Sequence, residues 1–138
     1  PHHLYIETKH PSGQGDVLEE QLVLRLRYAG LLDDPRIHMI SFSHKAIRRM
    51  QSLAPQVDCF YLRRDWERHF PDILLSRPTG LGMSLLRAKM RPADIGAFDL
   101  PTYLWTVDRS DDMKWAWSNG IDILATNQPE VALHAIEL

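Results

Sequence analysis

An uninterrupted alternation of short apolar runs and amphipathic stretches does most to limit how this chain can fold. Leu4-Tyr5-Ile6-Glu7, Ile37 to Phe42, Val57 to Leu62, Leu81 to Leu86, Thr102 to Val107 and Ile121 to Thr126 are rich in β-branched, aromatic and aliphatic residues. Each has the length of a strand, and between them apolar residues recur at steps of three and four. Strand followed by helix, repeated in this way, is the pattern of parallel α/β structure. The first helix is predicted over Asp16 to Ala29, with Asp16 and Glu19 as a capping box and Gly30 as its stop. Its inward face is expected to be Val17, Leu18, Leu22, Leu26 and Ala29. Ser43 is placed to cap a second helix with the stripe Ala46, Ile47, Met50 and Leu53, which Pro55 ends. Asp65 opens a short amphipathic piece through Phe70; further helices are predicted from Ser110 to Ser118, with Met113 and Trp117 inward, and from Pro129 onward.

All 138 residues read as one domain, with no linker and no low-complexity stretch. The stretch Arg91 to Pro101 is shorter than the dozen or so residues a parallel crossover needs, so a truncated, displaced or missing helix is expected there. Gly80 and Gly82 weaken the fourth strand. No glycine-rich phosphate loop follows any strand, which counts against a dinucleotide-binding sheet and leaves an open sheet as the alternative to a barrel.

A net charge of -2 provides no basic field, so nucleic acid is not an expected partner, although one lysine could still serve a local phosphate site. Cys59 is the single cysteine, which rules out an internal disulfide, fits a reducing compartment such as the cytoplasm, and reads as a buried inert thiol. No apolar run approaches the ~20 residues of a membrane span.

Polar residues gather where strands end: Glu7 and Lys9, Ser41 and Ser43, Arg63 and Arg64, Thr106 and Asp108, and Asn127. In a parallel barrel these ends open on one face, the face that carries chemistry. Glu7 and Lys9 stand two apart and project together. The carboxylate can hold a hard cation and the ammonium can neutralise a phosphate oxygen; a salt-bridged pair fits the same spacing. Phe42 and Trp105 read either as interior packing or as walls of a pocket. Six of the seven histidines have no partner at ligand spacing, whereas His10 follows Lys9 into the same loop, where loop support is the first reading.

Together these segments resemble a family. Leu4 to Pro11 is similar to the third-strand Glu-x-Lys motif of glycerophosphodiester phosphodiesterases, and Ile40-Ser41-Phe42 to their fourth-strand Ser-Phe. Leu104 to Asp108 resembles their seventh-strand Trp-Thr-Val-Asn, and Ile121 to Pro129 an eighth strand that normally ends Thr-Asp-x-Pro. The resemblance implies a partial (β/α)8 TIM barrel, strands three to eight. It implies hydrolysis of a glycerophosphodiester to glycerol 3-phosphate and an alcohol, with Mg2+ or Ca2+ as cofactor. By the same resemblance Glu7 is a metal ligand, Lys9 the catalytic cation beside the phosphate, and Phe42 and Trp105 line the glycerol end.

The family's opening His-Arg-Gly strand, its Glu-x-Asp ligands and its His-Asp segment do not occur in this sequence, and Asn127 stands where Asp is usual. No catalytic histidine is therefore expected in this chain, and the metal site is expected to be incomplete. Two readings follow. One is the larger fragment of a hydrolase, inactive until an N-terminal segment is supplied and prone to self-association. The other is a non-catalytic module that binds phosphates or a partner.

Overall fold

In the computed structural model, residues 2–13, 15–67 and 76–137 are described. The chain divides into two compact units, one of Pro1–Leu62 with Arg68–Gly80 and one of Arg63–Glu67 with Leu81–Leu138. The predicted piece from Asp65 through Phe70 runs beyond the described residues after Glu67.

The first unit contains strands β1 (Leu4–Glu7), β2 (Ile37–Ser41) and β3 (Asp58–Leu62), with helices α1 (Val17–Tyr28) and α2 (His44–Leu53) between them. The strands are parallel and neighbour one another in chain order, Glu7 opposite Ile40 and Ile40 opposite Phe60. Side chains alternate between faces, so Tyr5, His38 and Phe60 meet on one of them. Tyr5 stacks on His38 with ring centroids 4.5 Å apart, and both meet the Phe60 ring edge-on. On the other face Met39, Cys59 and Tyr61 are buried, as are Val23 and Leu26 of α1 and Ala46, Ile47 and Met50 of α2. Ser43 caps α2 as expected, its hydroxyl accepting from the Ala46 amide at 3.2 Å.

Helix α1 departs from its predicted pattern. Its buried residues are Glu19, Val23 and Leu26, while Val17 is exposed. Asp16 makes no capping bond, because its carboxylate pairs with Arg49 instead. The helix does stop before Gly30, which takes φ of 71° at no steric cost.

The second unit contains β4 (Gly80–Ser84, its first residue in the other unit), β5 (Thr102–Trp105) and β6 (Ile123–Leu124), again parallel and in chain order. Helices α3 (Leu85–Met90), α4 (Ser110–Ser118) and α5 (Pro129–Ile136) accompany them. Met83, Leu104, Val107, Met113, Ala116 and Ala135 form its core.

The expected shortage between Arg91 and Pro101 is resolved by an earlier start. The fourth strand ends at Ser84, whose hydroxyl accepts from the Arg87 amide at 3.1 Å, and Leu85 is already helical. Single 3-10 turns at Pro92–Asp94 and Ala97–Asp99 complete the crossover. Trp117, predicted inward, is 64% exposed, whereas Met113 is buried.

Gly80 is tolerated in β4 because Phe60 occupies the space beside it: a Cβ there would lie 2.1 Å from Phe60 Cε1. Arg63, expected at a polar strand end, is buried instead with Arg87 around Asp94. Burial, followed by the like charge of Arg87, holds the Arg63 pKa below its usual range.

Candidate functional site

The C-terminal end of β1 carries the candidate pair. Thr8, between Glu7 and Lys9, is only 4% exposed. Its amide donates to the Ile40 carbonyl at 3.0 Å, and its own carbonyl accepts from Ser41 Oγ at 2.8 Å. Pinning Thr8 inward leaves Glu7 and Lys9 on the opposite side, and both are exposed. Neither forms an ion pair among the described residues, so the salt-bridged alternative does not hold. Ser41 is a latch: fully buried, it donates to Thr8 and accepts from the Ser43 amide at 3.2 Å. Phe42, one residue past β2, is half-buried.

The loop after Lys9 is tied back by His10, whose Nε2 lies 2.5 Å from Glu19 Oε1. The other described histidines with side-chain partners are engaged elsewhere. His38 Nε2 meets His3 Nδ1 at 2.8 Å and its Nδ1 lies 3.4 Å from Asp58. His44 stacks on Tyr61 and meets Ser76 Oγ at 2.9 Å. His134 Nδ1 lies 2.7 Å from the Glu130 carbonyl.

In the second unit, Trp105 closes β5 half-buried, its ring 6.3 Å from that of Tyr103. Asp108, three residues on, accepts from Thr126 Oγ1 at 2.9 Å, the Asn127 amide at 2.8 Å and Asn127 Nδ2 at 3.0 Å. These donors, Asn127 first, hold the Asp108 carboxyl below the usual carboxylate range. The charge missing at Asn127 is therefore present on its hydrogen-bond partner. An apolar cavity of about 230 Å³ between α4, α5 and β6 is lined by Met113, Trp117, Ile121 and Ile136 and includes none of the strand-end candidates.

Among the described residues, no three His, Cys, Asp or Glu side chains converge to hold a metal ion. Glu7 offers one carboxylate, and Mg2+ or Ca2+ needs about six or more oxygens. The described residues do not by themselves fit a divalent cation site.

Glu19, expected from the sequence to complete a capping box, is instead fully buried between His10 and Arg49. A polar residue in line with the buried stripe, four before Val23, was the available signal, but its partner Arg49 lies in another helix.

No family model matches the chain. A probable glycerophosphodiester phosphodiesterase 1 of Mycobacterium tuberculosis is 27% identical over 143 residues, covering 94% of this chain and 50% of that protein. The chain thus spans about half the length of the curated relatives it matches. Among solved structures, an Oleispira antarctica phosphodiesterase in complex with the product sn-glycerol-3-phosphate matches with a TM-score of 0.84 at 19% identity, over 99% of this chain and 56% of that one. A putative glycerophosphoryl diester phosphodiesterase from Silicibacter pomeroyi matches with a TM-score of 0.82 at 19% identity, over 98% of this chain and 50% of that one. The fold is α/β, part of a (β/α)8 barrel. The chain resembles glycerophosphodiester phosphodiesterases over nearly its whole length, in sequence as in fold.

Proposed function

We propose that this chain is a portion of a glycerophosphodiester phosphodiesterase, an enzyme converting a glycerophosphodiester and water to glycerol 3-phosphate and an alcohol. The observation that carries the reading is Glu7 and Lys9 exposed at the end of β1, with no ion pair among the described residues, in a chain resembling those enzymes over 94% of its length. Lys9 would neutralise a phosphate oxygen, and Phe42 and Trp105 would wall the glycerol end. Glu7 would be one ligand of Mg2+ or Ca2+, whose role in such a site is to neutralise the phosphoryl oxygens. Among the described residues no second and third His, Cys, Asp or Glu side chain joins it.

Hydrolysis also needs groups that move protons, and such groups are typically worth about 10² to 10⁴-fold in rate. The His-Arg-Gly and His-Asp segments that carry the catalytic histidines in the family resembled do not occur in this sequence. The chain by itself is therefore read as binding the phosphate end without useful turnover. Within their units β1 pairs with β2 alone and β6 with β5 alone, leaving strand edges for a further segment or a second copy.

Calorimetric titration with sn-glycerol 3-phosphate tests the reading. Saturable binding is expected, weakened about 10- to 100-fold by Lys9→Met, the scale of losing a hydrogen bond to a charged group. Binding untouched by Lys9→Met would refute it, and brisk release of glycerol 3-phosphate from glycerophosphocholine by this chain would refute the absence of turnover.

A further inference from the structure

Glu19 sits in the first turn of α1 and is fully buried. A carboxylate is costly to bury unless it is paired and hydrogen-bonded, and here both oxygens are engaged. Oε1 faces His10 Nε2 at 2.5 Å, and Oε2 accepts from Arg49 Nη1 at 2.5 Å. The other η nitrogen of Arg49 pairs with Asp16 at the entrance to α1. Burial alone would push the Glu19 pKa up, but the bonds from His10 and Arg49 outweigh it and the net direction is down, so the group stays ionised. The β1–α1 loop, α1 and α2 are thereby joined through one side chain.

The loop so joined is the one that presents Lys9. A lysine ammonium rides on a flexible stem and loses rotamer freedom when it closes on an anion. If the backbone beneath it were also free, binding would have to order that too. Thr8 fixes the backbone on one side of Lys9, through its bonds to Ile40 and Ser41. His10 is the matching anchor on the other side, and among the described residues its side-chain partner is Glu19.

We propose that Glu19 is a positioning residue for phosphate recognition. Acting through His10, it holds the Lys9 backbone in place before a phosphate monoester or diester arrives. The inference rests on reading Lys9 as the phosphate cation, and the test separates the two.

Sn-glycerol 3-phosphate is titrated into the protein and followed by amide chemical shifts, in the wild type and in Lys9→Met, Glu19→Gln, His10→Ala and His10→Gln. Glutamine at position 10 keeps an N–H able to reach Glu19; alanine does not, and neither disturbs the bond from Arg49. Glu19→Gln and His10→Ala should each weaken binding about tenfold, and His10→Gln should recover most of that loss. Should Glu19→Gln fail to fold, the His10 pair carries the test, since His10 lies at the surface of the cluster at 16% exposure. Binding lost in Lys9→Met but unchanged in His10→Ala would overturn the positioning role and spare the phosphate reading. Equal weakening in both His10 variants would overturn it as well, because the bond to Glu19 would then not be what matters. A wild type without saturable binding, or one that Lys9→Met leaves unchanged, would overturn both.

Discussion

Replacing Gly80 by alanine tests the packing of the first unit at its tightest point. The new methyl would lie 2.1 Å from Phe60 Cε1, 2.3 Å from Cδ1 and 2.7 Å from Cζ. Ordinary contact between carbon atoms begins near 3.5 Å, so the ring must withdraw by roughly 1 Å or more. It has little room, because Phe60 is 4% exposed and its ring already meets Tyr5 and His38 edge-on. Overpacking of this kind typically costs about 1–3 kcal/mol, and contact with three atoms of one rigid ring places Gly80→Ala near the upper end. With a urea m-value of about 1–3 kcal/mol/M, the unfolding midpoint should fall by roughly 1–3 M. Phe60→Leu removes the obstructing ring atoms and is destabilising alone. The double variant should be less damaged than the sum of the singles by about 1–2 kcal/mol. A Gly80→Ala midpoint equal to wild type, or strictly additive singles, would refute the argument that Phe60 is what requires glycine here.

Arg87 is buried and donates from Nη1 to the carbonyls of Arg64 at 2.7 Å and Glu67 at 2.6 Å, and from Nε to Asp94 at 2.9 Å. Arg87→Met strands those acceptors and should cost about 3–5 kcal/mol in urea unfolding, with Arg87→Lys recovering little because lysine has no planar fork. His38 is held below its usual pKa of 6.5, by burial first and by His3, against the opposing pull of Asp58. The unfolded chain therefore binds the proton more readily. The stability contributed by neutral His38 is present above about pH 6.5 and is lost as pH falls below that value toward the folded pKa, and His38→Asn should flatten this part of a urea-midpoint profile. The Cys59 thiol, pushed up to about 12 by burial first and then by Asp58, should react with a thiol reagent at pH 8 at the rate of unfolding. Fast labelling of the native chain would contradict its burial.

Much of the fold was legible because its signals are local. Alternating runs placed all six strands, and Ser43 announced its helix by side-chain chemistry alone. The boundary at Ser84 was not legible in the same way. Leu81 to Leu86 is apolar throughout, and such a run reads equally as strand or helix until a cap is weighed against it. Ser84 was that cap, followed by the good helix formers Leu85 to Met90. At the candidate site, the spacing of Glu7 and Lys9 was readable, but that neither has an ion pair among the described residues was not. The roles of Glu19 and of Asp108 with Asn127 depend on contacts between elements, thirty residues apart for Glu19 and Arg49 and nineteen for Asp108 and Asn127. Position in sequence does not reveal such pairs. Trp117 shows the opposite error: size and helical spacing suggested burial, yet the core of that unit closes on the smaller Met113 and Ala116.

The outward placement of Trp117 has a practical consequence for anyone following this protein by optical spectroscopy. Trp66 is 76% and Trp117 64% exposed, while Trp105 and Trp115 are half-covered. The native chain should already emit at long wavelength, as indoles bathed in water do, and unfolding should move that emission only slightly. Near-ultraviolet circular dichroism, which responds to the fixed Tyr5–His38–Phe60 and His44–Tyr61 ring contacts, should report loss of structure far more faithfully. A flat fluorescence trace would then describe where the tryptophans sit and say nothing about whether the chain has melted.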